Sequence, residues 1–454
     1  MYSLFGKFSN RQNIYALFFL SIWLLYGAMI NSGNLREFNL QHTGVEAMVE
    51  RGVSYLEGSK VKELIIGDVD NFEFKGHLYA AKQPGQFLIG AAVYFLLHAL
   101  GFSYAINYLL TSALVTFLTA SLIAALAVLI ILALARALAP RPSTWEASLL
   151  VALGYAIGTT AFPYSGIEHH DLMASGFLII AFYLFFKSAR MDISLRSHWL
   201  AGLGGVFLGL VITTSMLPAL MVVVIALYSL SRLRWLTTAW LAGGVLVGLL
   251  PLFVYDTINF GNPFLLPNIV GNYSDTFFYL DAENFLAKSQ FYVAFVAQYT
   301  PLALAGLLGW FFLPRAFRRE QIFVLAAIAA QAAYVFNIDT VGHCQFGPRY
   351  LLPTMPFLAL GLIGFAHLQP RGARAIAGLI VGAVGLISIG FNFLGAVFGA
   401  MYCDIQWYAV PYYWKLLQRG KLPEFPLVWL AIPFAVCVIG LMVEFVRQRK
   451  SSTA

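Results

Sequence analysis

Apolar runs of about twenty residues recur along most of the chain, long enough to cross a hydrocarbon core of about 30 Å. The pattern predicts spans near 14–30, 105–135, 145–163, 170–188, 199–213, 216–230, 236–255, 296–314, 321–337, 351–368, 375–400 and 427–446. The stretch 86–101, "QFLIGAAVYFLLHALG", is shorter and follows a long polar segment. If it crossed, Arg136 and Arg141 would face outward and every later loop would invert. We therefore read it as a juxtamembrane helix lying on, or dipping into, the outer leaflet. The basic residues then fall on one side: Lys7 and Arg11, then Lys187, Arg190, Arg196, Arg232, Arg234, Arg315, Arg318, Arg319, Arg371, Arg374, Arg447, Arg449 and Lys450. About twelve transmembrane helices result, with both ends cytoplasmic; thirteen stays open because hydropathy fixes boundaries poorly.

Composition agrees with this pattern. The chain has 454 residues, of which 60% are hydrophobic and only 11% charged, where a soluble domain carries about a quarter charged residues. A transmembrane β-barrel would instead alternate over segments of about ten residues. The expected fold is an all-α polytopic membrane protein, with residues 1–454 forming one integral-membrane domain. Residues 31–104 make a large first outer loop with juxtamembrane helices, and 105–454 make the remaining bundle. The net charge of +7 comes from single basic residues between apolar runs, the signature of cytoplasmic loops rather than a nucleic-acid surface. Cys344, Cys403 and Cys437 show no metal-type spacing. The first two fall on the same expected side, so one disulfide is open, although free thiols are expected. The N-terminal apolar run is too long for a signal peptide and lacks a small-x-small site, so it reads as an uncleaved span.

The outward loops hold nearly all the unusual polar residues: 31–85, "YSGIEHHDL" (164–172), "YDTINFGNPF" (255–264), "IDTVGHCQFGPRY" (338–350) and "MYCDIQWY" (401–408). Five of the eight histidines lie there: His42, His77, His169, His170 and His343. Any single one reads equally well as an interfacial residue that prefers water. Glu168 and Asp171 flank a His-His pair at the mouth of a span, where an acid is expensive unless used or paired; the plain alternative for Asp171 is a helix cap. In "HLYAAKQPGQ" (77–86), Lys82 precedes Pro84 and Gly85. A snorkelling anchor needs no such rigid neighbours, whereas proline pre-sets a helix start and glycine admits close approach. Arg349, after Gly347 and Pro348, repeats the design at another span. Two such cations suit a phosphate group, the guanidinium offering bidentate geometry. The aromatics Trp407, Tyr408, Tyr412, Tyr413 and Trp414 read as an interfacial belt, and Asn259 and Asn262 as turn formers.

"HLYAAKQPGQFLIGAAVYFLLHALG" resembles the segment that closes the first outer loop in the GT-C glycosyltransferases of the protein O-mannosyltransferase and lipid A aminoarabinose transferase kind, where Lys-Pro-Pro-Leu or His-Pro-Pro-Leu is usual. "YSGIEHHDLMASGFLIIAFYLFF" is similar to their segment in which an acid opens an inward-running helix, and "GPRYLLPTMPFLAL" to their Arg-Tyr-x-x-Pro stretch. "YDTINFGNPF" is similar to a loop of many bacterial members. The resemblance implies transfer of a sugar from a polyprenyl-phosphate carrier to a lipid, glycan or protein acceptor on the extracytoplasmic face of a bacterial inner membrane. It implies a first-loop acid as general base. Setting "VEAMVERG" (45–52) on the family's segment puts Glu37, preceded by Arg36, at that position. Here one glutamate replaces the usual Asp or Asp-Glu pair, and "KQPG" stands where two prolines are expected; Asp68 and Asp70 are the rival bases.

On this reading Lys82 and Arg349 hold the phosphate, His77, Tyr79, His170 and His343 orient the substrate, and Asp171 positions the acceptor or supports Glu37. Transfer from a phosphate ester needs a base at the acceptor hydroxyl and positive charge at the departing phosphate. No second carboxylate reads as a nucleophile, so inversion by single displacement is expected. No metal is assigned; a divalent ion at Glu168, His169, His170 and Asp171 stays possible. The competing function is a transporter or flippase of a lipid-linked saccharide. Transporters tend to place ionisable groups near the midplane of repeated halves, and here the span centres are almost free of charge. A structural membrane subunit would leave Lys82, Arg349 and Asp171 unexplained.

Overall fold

A computed structural model describes residues 10–64, 70–140, 145–231, 234–271, 283–338, 344–402 and 409–453, excluding the side chains of 10, 11 and 448–453. The chain is built from helices, with one two-stranded hairpin among the described residues. Helix α1 (Asn10–Ala28) leads into two short helices, α2 (Ser32–Glu37) and α3 (Asn39–Glu46), and then into strands β1 (Asn71–Phe74) and β2 (His77–Ala80). The strands are antiparallel, Asn71 pairing with Ala80 and Phe74 with His77. Their two-residue turn, Lys75-Gly76, takes φ values of 51° and 79°, the left-handed pair that matches strand twist in a tight hairpin.

Next come α4 (Gly85–Ala99), α5 (Tyr108–Leu118) and α6 (Ala120–Leu138), α7 (Trp145–Gly158), α8 (Ala161–Tyr164), α9 (His170–Ser188), α10 (Leu195–Thr214), α11 (Ala219–Leu230), α12 (Trp235–Phe260) and α13 (Pro267–Val270). The C-terminal part holds α14 (Phe285–Tyr299), α15 (Pro301–Gly309), α16 (Arg318–Val335), a 3-10 segment from Arg349 into α17 (Met355–Gly361), α18 (Arg371–Phe398), α19 (Ala409–Gln418) and α20 (Ala431–Thr453). Each apolar segment expected to cross meets one of these helices. Among the described residues, seven helices are long and apolar enough to cross a membrane, or eight if the pair 285–312, bent by 105°, is one span. The shorter apolar helices include α4, 15 residues long, which leaves Phe95, Leu96 and Leu100 exposed at its far end.

Burial runs opposite to that of a water-soluble bundle. Helix α9 is enclosed along almost its whole length, whereas α18 and α20 turn Ile376, Leu379, Ile380, Ile432, Val436 and Ile439 outward. Broad exposed apolar bands on long helices are what hydrocarbon contact requires; the chain is an integral membrane protein. Since α9 rises about 1.5 Å per residue, its 19 residues separate two polar ends by roughly 27 Å. At one end Arg190 pairs with Glu320 at 3.0 Å and Arg136 covers the Trp145 ring at 3.5 Å. At the other lie His169, His170 and Asp171.

Helices α10 and α12 run parallel and touch backbone to backbone. A Cβ placed on Gly205 would collide with the Leu241 carbonyl, one on Gly244 with that of Gly202, and one on Gly248 with that of Val206. Small residues permit such close approach, which supplies the packing that the hydrophobic effect does not drive within a bilayer. We expect Gly248→Leu to force the pair apart and to lower stability by more than about 3 kcal/mol, the upper end for ordinary overpacking. Gly243→Leu, at a position with open space, should melt like the wild type. Thermal unfolding in detergent compares the two.

Candidate active site

Residues far apart in sequence meet where α9 begins. The His169 side chain caps α9, its Nδ1 accepting the Asp171 backbone N–H at 3.2 Å. Asp171 is enclosed, with its side chain 1% exposed. Its Oδ1 accepts the Ser215 hydroxyl at 2.8 Å and lies 3.3 Å from His170 Nε2, while Oδ2 lies 3.9 Å from Arg349 Nε. Arg349 opens the 3-10 segment 349–354, its N–H donating to the Gly347 carbonyl at 2.8 Å. Gly347 has φ 71° and faces Thr160 and Tyr299 so closely that a Cβ there would meet Thr160 Cγ2 at 2.6 Å. That answers the glycine of "GPRY": it lets the chain pass the α7–α8 junction and aims the guanidinium at Asp171.

Lys82 reaches the same place from the hairpin. The Ala81 N–H donates to the Asp70 carbonyl at 2.7 Å, extending the ladder past β2, and Lys82 Nζ pairs with Asp70 Oδ2 at 3.0 Å. Gln83 donates to the Asn268 side chain at 3.1 Å. Gly85 sits against the end of α10, where a Cβ would meet Thr214 Oγ1 at 2.5 Å. Proline and glycine after Lys82 thus seat the start of α4 on α10 while the lysine stays at the cluster. Burial works against the Asp70 charge, but the ion pair and hydrogen bond with Lys82, with help from Arg349, outweigh it and hold the carboxyl below its ordinary value.

The end of α10 is a junction that the sequence did not flag. Thr213 donates to the Gly248 carbonyl of α12 at 2.8 Å, Thr214 abuts Gly85, and Ser215 holds Asp171. A run of hydroxyls closing an apolar helix carries no sequence signal of this role.

Glu37 is an exposed residue beside the buried Phe38. It ends α2, which is fastened to the end of α18: the Asn31 amide donates to the Ala396 carbonyl at 3.1 Å, and the Ala400 N–H donates to Asn34 Oδ1 at 2.9 Å. A Cβ on Gly399 would lie 3.9 Å from Glu37 Oε2, and Phe38 meets the His169 ring edge-on at 5.9 Å. Glu37 keeps surface open to solvent, yet desolvation by its surroundings raises its pKa to about 7.

The structure therefore brings together Asp70, Lys82, His170, Asp171 and Arg349, while Glu37 sits on α2 next to Phe38, the residue that meets His169. It places two other expected residues elsewhere. His77 pairs with Glu57 at 2.6 Å and stacks on Tyr55 at 4.1 Å, and Tyr79 is packed among Phe72, Tyr255 and Phe260. Both follow from strand alternation, which turns residues 77 and 79 to the same side of β2. Asp68 and His343 lie outside the described residues. Cys344 is disulfide-bonded and Cys437 is free, which corrects the expectation of free thiols throughout.

His169, His170 and Asp171 offer ligand atoms all within 4.8 Å of one another. As arranged they suit a metal poorly: His169 Nδ1 is taken by a backbone N–H, Asp171 Oδ1 by Ser215, and the Arg349 cation stands beside Oδ2.

No protein-family model matches the sequence, and no curated protein matches it. Among solved structures, ArnT from Cupriavidus metallidurans bound to undecaprenyl phosphate superposes with a TM-score of 0.51 and 16% identity over 95% of this chain and 75% of that one. The archaeal oligosaccharyltransferase AglB from Archaeoglobus fulgidus, in complex with an inhibitory peptide and a dolichol-phosphate, gives a TM-score of 0.49 and 11% identity over 88% of this chain and 59% of that one.

Proposed function

We propose that this chain, which has the fold of the GT-C glycosyltransferases, moves a hexosyl or pentosyl group from a polyprenyl-phosphate carrier to a lipid, glycan or protein acceptor. The observation that carries the reading is the convergence of two cations from opposite parts of the sequence near one end of α9: Arg349 beside Asp171, and Lys82, paired with Asp70, close enough to interact electrostatically with His170. A fixed pair of cations recognises the phosphate of a lipid carrier and stabilises the charge that grows on it as it leaves. Undecaprenyl phosphate bound to ArnT supports the same ligand class here.

In the reaction, an acceptor hydroxyl oxygen attacks the anomeric carbon, and the bond from that carbon to the phosphate oxygen breaks. Glu37 takes the hydroxyl proton, and the polyprenyl phosphate departs with the electron pair and one further negative charge. A single displacement inverts the anomeric centre. Glu37 suits the base better than Asp70 because, among the described residues, no cation offsets the desolvation of its carboxylate, and its pKa of about 7 is matched to neutral pH. Asp171, held by Ser215 and beside Arg349, positions the guanidinium. We place the site on the extracytoplasmic face of a bacterial inner membrane. Cysteines at Lys75 and Glu73 should then react with an impermeant maleimide in intact cells, and one at Arg371 only after permeabilisation.

Purified protein in lipid nanodiscs, given a lipid-linked sugar and candidate acceptors, tests the function by mass spectrometry of both lipid and acceptor. A flippase would leave every mass unchanged while moving the lipid between leaflets.

A further inference from the structure

The charges at the cluster balance in an informative way. Two cations, Lys82 and Arg349, face two carboxylates, Asp70 and Asp171. The two acids are held very differently. Asp171 is enclosed, bonded by Ser215 and anchored at the start of a helix buried along almost its whole length, so it cannot leave Arg349 without stranding a charge in apolar surroundings. Asp70 has 44% of its side chain open to water, while Lys82 has 13%. Its backbone takes φ 62°, a left-handed conformation that a non-glycine residue adopts at a cost. An ion pair with one partner in water adds little stability, so this carboxylate is the one that can be exchanged.

We propose that Asp70 is a displaceable counter-ion, occupying on Lys82 the position that the carrier phosphate takes in the complex, and that its return drives release of the spent carrier. This deepens the function proposed above and rests on it. A sugar-linked carrier is a phosphodiester with one negative charge, so it exchanges with Asp70 charge for charge. After transfer the carrier is a phosphate monoester, carrying about −1.5 to −2 at neutral pH. The extra charge strengthens its hold on Lys82 and Arg349, and a site with no competing anion would retain its product. Asp70, tethered next to Lys82 by the bond from Ala81 to its own carbonyl, competes at a high effective concentration whatever the amount of free lipid. It acts as a positioning residue for Lys82 and bears no proton in the transfer step.

The test uses the full-length protein in nanodiscs with undecaprenyl phosphate as probe. In Asp70→Asn, undecaprenyl phosphate should bind about five- to tenfold more tightly than in the wild type, and the gain should vanish in Asp70→Asn combined with Lys82→Ala. In steady state kcat should fall while kcat/KM for the donor holds or rises, because slow product release limits only the former. Equal or weaker binding by Asp70→Asn, or a parallel fall in kcat and kcat/KM, overturns the proposal. Asp70→Ser carries the same expectations should the asparagine variant fail to fold. If the wild type shows no Lys82-dependent binding of undecaprenyl phosphate, the proposed function itself fails; if it does and Asp70→Asn is unchanged, only the counter-ion role is lost.

Discussion

Lys82→Ala should lower kcat/KM for a polyprenyl-phosphate sugar by about 10²- to 10³-fold, the usual loss when one preorganised donor to a developing anion is removed. Lys82 is the less solvent-exposed member of its ion pair and stands where α4 is seated against α10. No other lysine joins it in the cluster among the described residues. Stability should change far less than activity. Asp70 has its carboxyl held below the ordinary value in the folded chain, so its stabilising contribution is present at neutral pH and is lost as pH falls through that depressed pKa. Removing Lys82 forfeits only this contribution, and the carboxylate stays partly hydrated. The melting temperature should therefore stay within a few degrees of wild type at pH 7 while donor turnover collapses. Paired melting curves and initial rates decide it; a turnover that survives the substitution would remove Lys82 from the site.

Glu37→Gln should reduce kcat by about 10²- to 10⁴-fold, the range for losing a general base. Its signature is the pH profile. A base works as the carboxylate, and the Glu37 pKa is raised to about 7, chiefly by desolvation. Wild-type kcat/KM should thus climb with pH through about 7 and level off above it, and the glutamine variant should lose that limb along with the rate. Undecaprenyl phosphate binding should be untouched, because among the described residues Lys82 and Arg349 pair with Asp70 and Asp171 rather than with Glu37. An unshifted limb in Glu37→Gln would return the role of base to Asp70 or Asp68, and the companion Asn variants would identify which.

The helical architecture was legible because apolar runs of bilayer length admit few readings, and the gathering of Lys82, Asp171 and Arg349 at one end of the bundle because each stands beside proline, glycine or a helix start. Span count was less so: α7 and α11 are shorter than a membrane is thick, and a bend at Thr300 breaks another candidate. The pairing of Asp70 with Lys82 depends on strand register. The segment "NFEFKGHLYA" does carry the alternation and the two-residue Lys-Gly turn of a hairpin, and reading it would have set His77 and Tyr79 apart from the cluster around Lys82 and Asp171. Ser215 was out of reach, since its role comes only from where α10 stops relative to α9. The neutral-range pKa of Glu37 was equally hidden, for it comes from the surroundings that α2 enters when it docks on the end of α18.

Where Gly205, Gly209, Gly244 and Gly248 bring backbone against backbone, α10 and α12 leave no room for a side chain whose rotamer could absorb a displacement. They behave mechanically as a single strut. On the proposed function, admitting a long isoprenoid then calls for movement at the hairpin or near α18, so cross-linking α10 to α12 should leave catalysis intact, whereas tethering β1 to α12 should arrest it.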